Sequence, residues 1–179
     1  MDFKELIEKR RSVRSFSSDK SIDHSLLEEV LEEAQMAPSW KNSQAPHVYV
    51  VEAPEMVQTL RSNCLPSFNQ KSSQNASAYL VTTYVAGISG FTAGQPDTER
   101  GNEWGAYDTG LRDAYLILAA ANLGIDSLIM GIRDEKELRN LLKIPAEEEI
   151  LSVIALGYRE MEPPFKPRKD LEEVTRFFT

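Results

Sequence analysis

The stretch that most constrains this chain is Ile150 to Leu156, Ile-Leu-Ser-Val-Ile-Ala-Leu, nearly all of it apolar. A strand with one wet face alternates apolar and polar residues, whereas an unbroken apolar run fits a central strand covered on both faces. Ser77 to Ala86 is a second strong strand, because β-branched and aromatic residues run through its Ala-Tyr-Leu-Val-Thr-Thr-Tyr-Val core. From about Ala106 to Asn122 the chain is rich in Leu, Ala and Tyr and apolar on most sides, which predicts a helix buried on several sides. Gly124 is placed to end it.

Shorter elements fill in around these three. Residues 2–10 predict a helix capped by Asp2, with Phe3, Leu6, Ile7 and Arg10 on one face. Asp23 stands where an N-cap belongs, before Leu26, Leu27, Val30, Leu31 and Ala34 at helical spacing, and Pro38 ends that helix. His47 to Glu52 predicts a short strand, Pro54 starts a helix over roughly 55–62, and Pro66 opens a short segment through Asn69. Ser127 to Met130 predicts a strand stopped by Gly131, and Asp134 caps a helix to about Leu142. Residues 87–103, with Gly87, Gly90, Gly94 and Gly101, form the longest irregular stretch. The tail from Arg159 reads as extended, with helix or strand near 170–178. Its apolar end (Val174, Phe177, Phe178) is expected to pack on something, a partner subunit included. Helices interleaved with three or four strands make an α+β arrangement, and 179 residues suit a single domain, 1–179.

Charge narrows the function. The net charge is −8, which argues against general nucleic-acid binding. Yet Lys9, Arg10, Arg11, Arg14, Lys166, Arg168 and Lys169 sit in two short segments at opposite ends of the chain. If the ends meet, they form one cationic pocket, suited to a small anion. No run of eighteen apolar residues suggests a membrane span, and a polar N-terminus with a single cysteine fits a reducing cytoplasm. One Cys and two His (His24, His47) make a structural zinc site unexpected. Cys64 has no obvious His partner, and neither a dinucleotide fingerprint, a Walker-type loop nor a nucleophile elbow is present.

Arg10-Arg11-Ser12-Val13-Arg14, Pro38-Ser39-Trp40-Lys41-Asn42-Ser43-Gln44-Ala45-Pro46, Met130-Gly131, Leu156-Gly157-Tyr158 and Lys166-Pro167-Arg168 occur in that order. Together they resemble the FMN-dependent nitroreductase family over almost the whole chain, through the ordered set rather than any one motif. The resemblance implies a three-layer α+β fold, with a central, mainly antiparallel sheet flanked by helices. It implies an intertwined homodimer with two flavin sites, each built from both chains.

The resemblance also assigns roles. Arg10, Ser12, Lys166 and Arg168 match phosphate-binding positions, and Arg11 is left between cofactor contact and solvent. Arg14 matches a cation beside the pyrimidine end of the flavin, where reduction leaves negative charge. Asn69 matches a residue that bonds the ring edge. Pro38, Ser39, Trp40 and Asn42 belong to the loop that arrives from the other subunit. Met130 and Gly131 match the turn whose backbone N–H reaches flavin N5, and Trp40, Lys41 and Trp104 are candidates for the mouth over the ring. Gly105 departs from the pattern, since some relatives carry a Gln there.

The implied activity is reduction of nitroaromatics, quinones or similar small acceptors, with NADH or NADPH as transient hydride donor, by a ping-pong cycle. In that cycle the flavin, not an acid–base side chain or a metal, carries the chemistry. The competing readings are a flavin-binding store or sensor with little turnover, and another reaction of the same fold such as reductive dehalogenation.

Overall fold

A computed structural model describes residues 2–179. In chain order the elements are α1 (Phe3–Lys9), α2 (His24–Ala34), β1 (Pro46–Val51), α3 (Pro54–Cys64), α4 (Ser67–Ser72), β2 (Ala78–Val85), β3 (Phe91–Thr92) and β4 (Gln95–Pro96). They continue with α5 (Glu103–Asn122), β5 (Asp126–Met130), α6 (Glu135–Leu142), β6 (Glu148–Gly157) and α7 (Leu171–Val174). Among the described residues, no helix is long and apolar enough to cross a membrane.

Four strands form one sheet in the order β1-β2-β6-β5, with every neighbouring pair antiparallel. The apolar run places β6 second from one edge, paired on both sides. Successive residues on it feed opposite cores, as the period of two requires. Val153 and Ala155 join Tyr79, Val81, Leu60 and Leu138 on the face covered by α3 and α6. Ile154 and Leu156 join Leu80, Val30, Leu116 and Ala120 on the face covered by α2 and α5. The result is helices, sheet, helices, the three-layer α+β fold. Leu116 has no exposed surface, so truncating it to Ala would cost about 2–5 kcal/mol.

Register is regular except for one shift. Leu80 faces Ile154 and Thr82 faces Ser152, but Thr83 faces Ile150, which leaves Leu151 as an extra residue in β6. The irregularity lies where Thr82 and Ser152 turn their hydroxyls toward Asp113 of α5.

Caps explain several helix starts. Asp2 accepts the Glu5 N–H, and Asp134 accepts the Glu137 N–H. Asp23 takes the N-cap position of α2, but its carbonyl, not its carboxylate, accepts the first-turn N–H groups of Leu26 and Leu27. Gly124, at φ 77°, follows the end of α5.

Two sequence expectations need correction. Residues 87–103 are not irregular throughout, because β3 and β4 pair as a small hairpin. Its turn is Ala93-Gly94, both left-handed at φ 49° and 76°, as a two-residue hairpin turn requires. The long helix also begins three residues early, at Glu103, which takes Trp104 and Gly105 into its first turn. In the tail, one helical turn forms at Leu171–Val174, closed by an Asp170–Glu173 capping box.

Candidate active site

The two cationic segments meet because both dock on the same end of the sheet. Ser12 bridges Ser127 in parallel, and the Val13 N–H donates to the Ser127 carbonyl at 3.0 Å. Alternation sends Val13 into the core and leaves Ser12 and Arg14 outward. The returning tail is fixed beside them. Phe16 pairs with Arg159, and its ring lies against Gly157, where a Cβ would come within 2.7 Å. Beyond Arg159 the tail folds back over the N-terminal arginines.

Arg10, Arg11, Ser12, Arg14, Phe165, Lys166 and Arg168 thereby line one cleft of about 210 Å³. Among the described residues, none of its five cations forms an ion pair, although the protein carries an excess of acid. Burial lowers the Arg10 pKa, and the like charges of Arg168 and Arg11 lower it further. A cluster of unpaired like charges is unfavourable by itself and becomes favourable when an anion enters it.

Arg11 has a distinct setting. Its guanidinium stacks 5.1 Å from the Phe165 ring centroid and donates to the carbonyls of Glu8 and Arg10. It therefore joins the end of α1 to the tail, while its buried Nε has no partner among the described residues.

A second group sits at the end of β5. Asn69, buried on α4, donates through Nδ2 to the Ile132 carbonyl at 2.8 Å. Met130 is buried, so its side chain packs and only its backbone is offered outward. Gly131 is exposed, and a Cβ built on it would meet nothing within 4 Å. Packing within the chain does not demand glycine there, so the space above it is free for a ligand.

The third group is the loop after α2. Lys41, Asn42 and Gln44 all have positive φ, at 48°, 56° and 53°. Ser39 Oγ accepts the Gln44 N–H at 3.0 Å, and Asp108 accepts the Trp40 N–H at 2.9 Å. The Trp40 and Trp104 rings lie 4.8 Å apart at 48°. Trp104 can approach because residue 90 is glycine, where a Cβ would fall 2.5 Å from its ring. Lys41 reaches the hairpin, bonding Thr92 at 2.9 Å and Asp97 at 3.1 Å.

Within one chain these groups do not all converge. Arg10, Arg11, Ser12, Arg14, Lys166 and Arg168 share the cationic cleft. Pro38 and Ser39 line a different cleft, of about 260 Å³, with Asp108 and Arg112. Trp40, Lys41 and Trp104 cluster with the hairpin. Asn42 is exposed on the same loop.

Two features escaped the sequence reading. Gly105 is filled by Tyr84, whose ring stands 2.3 Å from where a Cβ would be. Asp108 is buried under the loop, and an acid in the middle of a helix expected to be buried on several sides was the available signal. Cys64 is buried, and burial, with Glu137 and Asp134 adding to it, pushes its thiol up to about 11, which removes it as a nucleophile at neutral pH.

The family model described as the Nitroreductase family matches residues 7–158. The chain belongs to the nitroreductase family. A protein of Archaeoglobus fulgidus whose name pairs NADH dehydrogenase with NAD(P)H nitroreductase is 33% identical over 174 residues, covering 92% of this chain and 90% of its own length. An iodotyrosine deiodinase of Drosophila melanogaster is 26% identical over 193 residues, covering 95% of this chain and 67% of its own. Among solved structures, a protein of Exiguobacterium sibiricum in complex with FMN superposes with a TM-score of 0.85 at 18% identity, covering 99% and 98% of the two chains. At that identity the likeness concerns the fold.

Proposed function

We propose that this nitroreductase-family protein is an FMN-dependent NAD(P)H oxidoreductase that reduces nitroaromatic, quinone or similar small acceptors by a ping-pong cycle. The observation that carries the reading is the cleft where Arg10, Arg14, Lys166 and Arg168 converge with no carboxylate partner among the described residues. These residues fit the group: a phosphate monoester would neutralise the crowded guanidinium groups through charge-assisted hydrogen bonds. The FMN complex of the Exiguobacterium protein and the name of the Archaeoglobus relative support the cofactor and the donor.

Bound FMN would supply reversible two-electron chemistry that no side chain of the protein can. The protein's own work is then positional and electrostatic. Arg10, Ser12, Lys166 and Arg168 hold the phosphate. Arg14, exposed and among the described residues bonded only to the Ser12 carbonyl at 3.3 Å, keeps a fixed positive charge free for the ring end of the same cleft. Asn69 fixes the turn at Gly131 and Ile132, and Gly131 leaves room for a ring to approach the backbone N–H. Phe165 shields one wall through its stack on Arg11.

The homodimer is part of the proposal. The α1 helix buries none of its residues within the chain; Phe3 and Ile7 are exposed, as are Tyr107 and Tyr115 of α5. At the other end Val174, Phe177 and Phe178 stand in solvent. A second copy would cover these faces and bring the Pro38–Asn42 loop to the partner's cleft. The deiodinase relative supports a second reading, reductive dehalogenation by the same site.

Charge reversal tests the phosphate assignment. Arg10→Glu or Arg168→Glu should purify without flavin and colourless. A folded variant that retains a full complement of FMN contradicts it.

A further inference from the structure

Asp108 is 2% exposed, and a single oxygen of its carboxylate receives two distant parts of the chain. Oδ2 accepts the Trp40 N–H at 2.9 Å and the Ser89 hydroxyl at 2.6 Å. Ser89, itself buried, also meets the Ser43 hydroxyl at 2.9 Å. Asp108 is thus the node that joins α5, the Trp40–Gln44 loop and the segment leading into the hairpin.

That loop needs such a node. Lys41, Asn42 and Gln44 occupy the left-handed region without being glycine. Such conformations persist only where the surroundings over-determine them. The loop's own tie, Gln44 N–H to Ser39 Oγ, closes it internally but does not place it on the fold. Asp108 and Ser89 do. The placement sets the indole of Trp40 against Trp104, which is separately held by its Nε1–H donating to Thr98 Oγ at 2.7 Å.

We propose that Asp108 is a positioning residue for acceptor recognition. By fixing the Trp40–Gln44 loop, it presents the Trp40–Trp104 pair as a rigid aromatic wall that binds planar acceptors. The role rests on the flavoenzyme reading above. It concerns how an acceptor is held, not how the flavin phosphate is held, since Asp108 lines a cleft separate from the cationic one.

Trp40 and Trp104 are the chain's two tryptophans, so optical signals from the pair report on the wall directly, whether or not flavin is bound. Asp108→Ala, Asp108→Asn and Ser89→Ala are compared with wild type by circular dichroism of the paired indoles and by steady-state kinetics with menadione. Asp108→Ala should lose the indole couplet and raise KM for menadione about tenfold with kcat little changed, as expected when a hydrogen-bonded support of ground-state binding is removed. Asp108→Asn keeps an oxygen that can accept both donors and should restore both readouts. Should Asp108→Ala fail to fold, Ser89→Ala must shift both in the same direction by a smaller amount. Flavin-loaded variants in which couplet and KM stay at wild-type values overturn the role of Asp108 alone. Wild-type protein that takes up no flavin overturns the enzyme reading beneath it.

Discussion

Arg159 Nη2 and Nε both donate to Asp126 Oδ1, at 2.6 and 2.9 Å, and the Arg159 backbone N–H donates to Oδ2 at 2.7 Å. The hydrogen bonds it donates to the Asp126 carboxylate raise the Arg159 pKa above its ordinary value, so the guanidinium stays charged at any working pH. Asp126 opens β5 and Arg159 follows β6, so the pair clasps the sheet where the tail turns back toward α1. Everything that Lys166 and Arg168 contribute to the cationic cleft depends on that turn.

Breaking the clasp should therefore act at a distance. Arg159→Met is expected to lose about 1.5–3 kcal/mol of stability, as for removal of a charged hydrogen-bond partner in a half-buried site. It should also weaken FMN binding about tenfold or more by freeing the tail, a loss read as a rise in Kd in a fluorescence titration. The control is riboflavin, which has no phosphate and should bind wild type and variant alike.

Tyr84 and Gly105 make a second paired prediction. A methyl group at position 105 would enter the Tyr84 ring, so Gly105→Ala should destabilise the fold by about 1–3 kcal/mol through overpacking. The double variant with Tyr84→Ala should recover much of that loss. Denaturant midpoints of the two single variants and the pair measure it, and strict additivity would show that the ring is not the obstacle.

Asp113 gives the stability a pH dependence. Burial raises its carboxyl to about 6, against the lowering effect of the Ser152 and Thr82 hydroxyls and the Arg112 charge. The folded chain then binds more protons than the unfolded chain between the ordinary value near 4 and that of about 6. Stability is highest below this window, falls as pH rises through it, and levels off above it. This group alone should remove on the order of 2 kcal/mol between about pH 4 and pH 7. Asp113→Asn keeps the acceptor for Thr82 and Ser152 and should abolish that fall, as read from urea midpoints at the two pH values.

The sheet and its layers were legible because they are written in local pattern. The nearly all-apolar run of β6 called for cover on both faces, and the two cores alternate along it as expected. Both ends of the cationic cleft were visible as charge in an acidic chain. What carried no local signal was tertiary. The hairpin at 91–96 rests on short strands with a non-glycine left-handed turn residue, Ala93. Gly105 is explained by a ring twenty-one positions earlier in the chain, on β2. Asp108 serves a loop that lies sixty-eight positions away.

The central claim is tested most directly by the absorption spectrum of the purified full chain, followed by anaerobic titration. The protein should hold FMN, lose its flavin colour on addition of NADH or NADPH, and regain it on addition of a quinone or nitroaromatic. Protein that takes up no FMN on incubation, or bound FMN that neither nucleotide reduces, would contradict the account.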